Sequence, residues 1–162
     1  MIDKFNLLFV TFFNLGKLKY APGTLASIVT CLIFFLAIKI ISYELLAILI
    51  VLIFSYSIIS IKNTKKYFKS KDPKEIVIDE VVGQSLPLLF IPVFETLYPF
   101  RIEFYIILAF IFFRIFDISK PFPIGYIDKN LSGAMGIMLD DILAGLYTIF
   151  IIATIFFFIG GL

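Results

Sequence analysis

The apolar runs of this chain constrain its fold most, because several are about as long as a bilayer is thick. Leu25–Ile41, Leu45–Ile61 and Ile142–Ile159 each come close to the ~20 apolar residues a helix needs to cross hydrocarbon. Two further segments are apolar but interrupted. Ile76–Phe94 carries Asp79, Glu80, Gln84, Pro87 and Pro92, and Phe104–Ile118 carries Arg114 and Asp117. Prolines inside a span predict kinks whose freed carbonyls are met by neighbouring helices or water. Phe5–Phe13 is too short to cross and reads as an interfacial or re-entrant helix. The expected fold is all-α: a polytopic transmembrane helical bundle of about five spans plus a short interfacial N-terminal helix, one domain over residues 1–162. A hydrophobic share of 61% and a charged share of 16% exclude an ordinary soluble domain, which is roughly half apolar and a quarter charged. The N-terminus lacks the short apolar stretch and small-residue cleavage site of a secretory signal, so the whole chain is expected to be mature.

Charge placement predicts the orientation of the spans. Lys62, Lys65, Lys66, Lys69, Lys71 and Lys74 crowd one loop, which is therefore expected on the cytoplasmic side. Threading five spans from that loop brings Lys4, Lys17, Lys19, Lys120 and Lys129 to the same side, with Arg114 at the inner end of its span. Only Lys39 and Arg101 fall outside. The same threading sorts the acids. Asp79 and Glu80 open the third span, Asp117 closes the fourth, Asp128 lies in the next loop, and Asp140 and Asp141 open the fifth, all on the cytoplasmic side. Glu44, Glu95 and Glu103 lie opposite. The lysine run itself reads as an orientation signal and a contact for anionic lipid, not as a site.

Carboxylates at the edge of apolar spans are costly unless paired, hydrated or bound to metal. Two adjacent acidic pairs and a nearby aspartate repel one another, and a divalent cation is the usual remedy. Mg²⁺ suits this setting, since it takes hard oxygen ligands from one or two carboxylates, water and substrate phosphate. Adjacent helical residues such as Asp79 and Glu80 point about 100° apart, so one can bind metal while the other pairs elsewhere. Taken alone, Asp140 and Asp141 serve equally well as acids capping a helix N-terminus; beside Asp79, Glu80 and Asp117 the metal reading gains. Arg114 and Asp117, three apart, share a helix face and form an ion pair, or Arg114 holds a phosphate bidentately with Lys120 one turn on. Thr24, after Pro22 and Gly23 at the mouth of the first span, either caps that helix or meets a phosphate. Ser132-Gly133-Ala134-Met135-Gly136 is a flexible segment whose backbone can approach a phosphate at Gly133.

Absences narrow the chemistry. The chain has no histidine and one cysteine, Cys31, which sits in an apolar run and reads as a small buried hydrophobe. His general bases, disulfides, Cys-rich metal sites and a P-loop are excluded. A net charge of +2 without a basic, aromatic-interleaved stripe excludes nucleic acid. What remains is metal-assisted hydrolysis, with a carboxylate as base or nucleophile. A small cation transporter is the rival from another class, but it wants acids near the midplane and often inverted repeats, and no internal repeat is found. A lipid-linked phosphotransferase needs a spaced Asp-Gly…Ala-Arg…Gly…Asp…Asp signature, which is missing.

Ala21-Pro22-Gly23-Thr24, Ile78-Asp79-Glu80-Val81-Val82-Gly83, Phe113-Arg114-Ile115-Phe116-Asp117 through Lys120-Pro121-Phe122-Pro123, and Gly133 through Asp140-Asp141-Ile142-Leu143-Ala144-Gly145 closely resemble, in order, the motifs of the phosphatidylglycerophosphatase A family. The resemblance covers roughly residues 5–155. It implies a Mg²⁺-dependent phosphatase that converts the membrane phospholipid phosphatidylglycerophosphate to phosphatidylglycerol, facing the cytoplasm from a bacterial inner membrane. The family's charged motif positions correspond to Asp79, Glu80, Arg114, Asp117, Lys120, Asp128, Asp140 and Asp141. One departure precedes the first span, where an expected glycine-rich turn is reduced to Gly16 in Asn14-Leu15-Gly16-Lys17. The expected roles are therefore catalysis by Asp79, Glu80, Asp117 and Asp141, and metal binding by Asp79, Asp117, Asp140 and Asp141. Phosphate binding is expected from Arg114, Lys120, Thr24 and Gly133.

Overall fold

The computed structural model describes residues 2–70, 73–98 and 100–160; Lys71 of the lysine loop lies outside them. The described residues are helical with no strand. The helices are α1 (Ile2–Val10), α2 (Pro22–Ala37), α3 (Tyr43–Thr64), α4 (Ile78–Leu89), α5 (Ile91–Leu97), α6 (Ile102–Ser119), α7 (Ile124–Asn130) and α8 (Ala134–Gly160). Each of the five segments expected to span coincides with a helix or, for Ile76–Phe94, with the pair α4 and α5. Pro87 lies inside α4 and Pro92 in the first turn of α5, so the break between them at Phe90 is where two missing N–H donors weaken the ladder.

Three segments are long and apolar enough to cross a membrane: Tyr43–Tyr67, Ile78–Leu97 and Ala134–Phe158. The remaining two differ for physical reasons. Helix α2 has 16 residues, and α6 has 18 but carries Glu103, Arg114 and Asp117. The exterior is apolar nonetheless, with Leu32 and Leu36 of α2, Val51 and Leu52 of α3, Ile107 of α6, and Phe150 and Phe157 of α8 all more than half exposed. The interior, by contrast, holds Asn6, Ser27, Thr30, Ser57, Ser60, Gln84 and Thr148, all buried. An apolar exterior around an apolar core that admits small polar residues between its helices fits a lipid environment, where such residues let helices approach and apolar side chains face acyl chains. Most of the buried hydroxyls satisfy themselves on the preceding turn, as Thr30 Oγ1 does by donating to the Ala26 carbonyl at 2.8 Å. Helix α1 is tied to α3 by Tyr56 Oη donating to Asn6 Oδ1 at 2.7 Å.

Helix α4 is the axis of the bundle and packs on α2, α3, α6 and α8. Its contact with α8 depends on two glycines. A Cβ on Gly83 would lie 2.6 Å from the Asp141 carbonyl oxygen, and one on Gly145 would lie 2.5 Å from the Gly83 carbonyl oxygen. The backbones therefore meet with no side chain between them, which sets the depth of Asp141 against α4.

The chain between α1 and α2 is unusual. Phe12, Phe13 and Asn14 all have left-handed backbone, at φ 43°, 55° and 68°. For residues other than glycine this costs roughly 1–2 kcal/mol each. Thr11 partly offsets it, with its hydroxyl accepting from the Asn14 N–H at 3.2 Å. Beyond the turn, Gly16 packs on the backbone of residue 75, where a Cβ would come within 2.0 Å of the Glu75 carbonyl oxygen. The Val77 N–H also donates to the Val10 carbonyl at 3.0 Å. Gly16, the remnant of the expected glycine-rich turn, is thus the position that cannot carry a side chain.

Candidate active site

The N-terminal ends of α2 and α4, the C-terminal end of α6 and the second turn of α8 converge on one cavity of about 340 Å³. Asp79 and Glu80 stand in the first turn of α4, whose start at Val77 has no side-chain cap. Acids there are favoured by the unpaired N–H groups of the turn. Glu80 presses on α2: a Cβ on Gly23 would sit 1.9 Å from Glu80 Oε1. Glycine at 23 is what admits the carboxylate. One turn on, the Ser27 hydroxyl donates to the Gly23 carbonyl at 3.0 Å and accepts from Arg114 Nη1 at 3.5 Å.

Asp141 reaches the same point from α8 and is 3% exposed. Ligand atoms of Asp79, Glu80 and Asp141 all lie within 4.8 Å of one another. Asp79 Oδ1 and Glu80 Oε2 are buried without a hydrogen-bond partner. Two buried carboxylate oxygens with no donor, in a group of three acids, form a donor set that fits a hard divalent cation. Adjacent Asp79 and Glu80 each bring an oxygen to this three-acid group.

The other charged residues form two cationic arms. Arg114 Nη1 bonds Asp117 Oδ2 at 2.5 Å across one turn, the intrahelical pair expected from their spacing, while Arg114 Nε has no partner. Asp117 stands in the last turn of α6, where the helix dipole disfavours an acid, and Arg114 offsets that. Lys120 ends α6 in a left-handed conformation at φ 42°. Its Nζ meets Asp128 Oδ1 at 2.6 Å and Asp140 Oδ2 at 2.7 Å. Burial by itself lowers the lysine's pKa, but the hydrogen bonds to Asp128 and Asp140 overcome it and hold the ammonium above its ordinary value. Two of its three N–H donors are thereby engaged.

Of the residues expected from sequence, Asp79, Glu80, Arg114, Asp117, Lys120, Asp140, Asp141 and Thr24 all line this cavity. Gly133 does not. It sits at the turn before α8 with φ 92° and lines a separate cavity of about 150 Å³ beside Asp128. Neither capping alternative matches the helix boundaries. Helix α2 starts at Pro22 after Ala21, which puts Thr24 inside its first turn, and α8 starts at Ala134, which puts Asp140 nearly two turns in. Three features escaped the sequence reading. Ser27 is legible only as a lone hydroxyl four residues after Gly23. The short helix α7, which delivers Asp128, is hidden among prolines and glycines. Lys74, read as part of an orientation signal, lines the cavity.

Clustered carboxylates, an arginine with a spare donor and an ion-paired lysine, at one end of an apolar bundle, define a helical enzyme of phosphate-ester chemistry. The family model described as phosphatidylglycerophosphatase A matches residues 8–156, and the chain belongs to that family of phosphoric monoester hydrolases. Among curated proteins it is 38% identical over 154 residues to a putative phosphatidylinositol-3-phosphatase of Bacteroides thetaiotaomicron, covering 93% of this chain and 92% of that one. It is 32% identical over 155 residues to phosphatidylglycerophosphatase A of Haemophilus influenzae, covering 96% and 90%. To phosphatidylglycerophosphatase A of Escherichia coli it is 31% identical over 160 residues, covering 99% and 86%. No solved structure matches the chain.

Proposed function

We propose that this protein is a Mg²⁺-dependent, five-span phosphatase of the bacterial inner membrane that hydrolyses phosphatidylglycerophosphate to phosphatidylglycerol and phosphate on the cytoplasmic side. The observation that carries the metal and the chemistry is the three-carboxylate group of Asp79, Glu80 and Asp141, with two buried oxygens left without donors. These residues would hold the cation, and Asp117 and Asp140 line the same cavity. A divalent cation here supplies electrophilic stabilisation of phosphoryl oxygens and a more acidic water.

The remaining roles follow from the side chains. Arg114 donates from its unspent Nε–H to a phosphate oxygen, while Asp117 and Ser27 hold the guanidinium in place. Glu80, fixed against Gly23, orients the attacking water and accepts its proton as the water oxygen bonds to phosphorus and the P–O bond to the lipid breaks. That proton, returned from Glu80 or exchanged with solvent, is taken up by the departing oxygen to give the lipid alcohol. Lys120, held between Asp128 and Asp140, offsets part of their negative charge beside the incoming phosphate. Thr24, in the first turn of α2, offers its hydroxyl and the N–H groups of that turn to the same anion. The apolar exterior of α2, α3, α6 and α8 supports a lipid-embedded bundle and a lipid substrate, and a five-span count adds α2 and α6 to the three segments long and apolar enough to cross.

A second reading concerns the head group. The 38% identity to a putative phosphatidylinositol-3-phosphatase favours an inositol lipid monophosphate as the alternative substrate of the same centre. Phosphate release from a panel of phospholipid monoesters, with Mg²⁺ and with chelator, separates the two. Release from phosphatidylglycerophosphate that exceeds all others and stops with chelator is expected. Faster release from the inositol lipid would shift the assignment, and no release from any lipid would end it.

A further inference from the structure

Beside the acidic cavity lies a second one of about 400 Å³ with the opposite charge. Lys17, Lys19 and Lys74 line it against the single acid Glu75. The two cavities share Pro22 and Lys74 as their common wall, so they are neighbours at the same end of the bundle. Lys17 and Lys74 make no ion pair among the described residues, and Lys19 rests over the ring of Tyr20 with Nζ 5.5 Å from its centroid. Among the described residues Lys66 pairs with Asp3 and Lys120 with Asp128 and Asp140, while the other lysines make no ion pair, so what sets Lys17, Lys19 and Lys74 apart is that they share one concave wall. Unpaired cations concentrated in a concave wall raise the local potential for an anion more than the same charges scattered over a surface.

The backbone that carries these lysines is held in an unfavourable conformation. Phe12, Phe13 and Asn14 are left-handed in succession, and the turn they make delivers Gly16 onto the backbone of residue 75. That contact brings Lys17 and Lys74 to one rim. Strain of this kind persists where the surrounding structure over-determines it and is found at binding sites.

We propose that this lysine-lined cavity is a second anion subsite, which holds the phosphodiester of the lipid while its monoester phosphate lies in the acidic cavity. The inference rests on the lipid-phosphatase reading above. Both candidate substrates carry two phosphates, a terminal monoester and a diester that joins the head group to diacylglycerol. The acidic cavity takes a phosphate only with a cation between; the lysine cavity takes one directly. A ligand with two phosphates separated by a polyol therefore matches two adjoining cavities of opposite sign, and a lipid monoester without the diester does not use the second.

The test is steady-state phosphate release in neutral-detergent micelles with Mg²⁺, where no anionic surface competes. The substrates are phosphatidylglycerophosphate and an analogue whose diester is methylated to a neutral triester. For Lys17→Ala/Lys19→Ala, KM for the diester lipid is expected to rise about tenfold, with kcat unchanged, and Lys17→Arg/Lys19→Arg is expected to restore it. Wild type is expected to show the same raised KM for the triester, with no further change in the alanine variant. An unchanged KM in the alanine variant would remove the subsite, as would an equal rise for both substrates, which marks general surface attraction. Wild-type protein inactive on phosphatidylglycerophosphate and on inositol lipid monophosphate would instead remove the phosphatase reading, and the subsite with it.

Discussion

At the scale of single residues, the centre depends as much on what is absent as on its acids. Gly23 leaves the space that Glu80 Oε1 occupies, since a Cβ there would lie 1.9 Å away. Gly23→Ala is therefore expected to displace the carboxylate and lower kcat by roughly 10²-fold, as misplacement of a reacting group by about 1 Å does. Phosphate release by the folded variant, checked by its unchanged melting profile, measures this. Lys120 serves a different purpose. Lys120→Met would take from Asp140, only 7% exposed, the ammonium it bonds at 2.7 Å. A loss of about 1–3 kcal/mol in unfolding free energy is expected, less than for a fully buried pair because Lys120 keeps some solvent access. The sign with pH follows from its raised pKa. The contribution is fully present below the ordinary lysine range and is lost only as pH climbs through the higher folded value. Stability curves of wild type and Lys120→Met should run parallel through neutral pH and converge only in strong alkali. The acids themselves were legible in the sequence because charge inside apolar runs is conspicuous. Gly23, Ser27 and Lys74 were not, since a glycine before a helix, a serine within one and a lysine in a basic loop each have an ordinary explanation.

At the scale of elements, apolar runs predicted where helices lie but not where they begin. Helix α8 starts at Ala134, eight residues before the expected span at Ile142, because Gly133 to Gly136 read as loop. In the fold Gly136 is helical and must lack a side chain, as a Cβ would come within 2.1 Å of the Leu131 carbonyl oxygen. That extension carries Asp140 and Asp141 off the helix terminus and into the bundle. The same logic governs the crossing of α4 and α8. Gly83→Ala would place a methyl 2.6 Å from the Asp141 carbonyl, with backbone rather than a flexible side chain in the way. The helices must then part, at a cost of about 1–3 kcal/mol. A lower melting temperature together with reduced phosphate release is expected for Gly83→Ala, and a substitution on the exposed face of α3, such as Val51→Ala, should change neither.

At the scale of the whole molecule, one-sided charge and an apolar exterior describe the same arrangement. The ends of α2, α4, α6 and α8 that hold the acids and Arg114 meet at one end of the bundle, as the threading of five spans requires. Helices α2 and α6 stand below or near the usual length and polarity limits for crossing, so the span count is an expectation to be measured. Reporter fusions after Lys69 and after Lys129 should report the cytoplasm, and fusions after Lys39 and after Phe100 the opposite side. A cytoplasmic signal at Lys39 would remove α2 from the spans. The bundle's axis was foreseeable from the sequence only in part, because Gln84 and Gly83 gave no sign that α4 would be the most enclosed.

The central claim is that Asp79, Glu80 and Asp141 form a cation-dependent hydrolytic centre. Titrating Mg²⁺ into a phosphate-release assay on phosphatidylglycerophosphate, with wild type and Asp141→Asn side by side, tests it most directly. Release by wild type should rise from background to saturation and vanish with chelator, while Asp141→Asn should fall by roughly 10²-fold or more at every Mg²⁺ concentration. An Asp141→Asn enzyme that keeps full, Mg²⁺-dependent release would contradict the account.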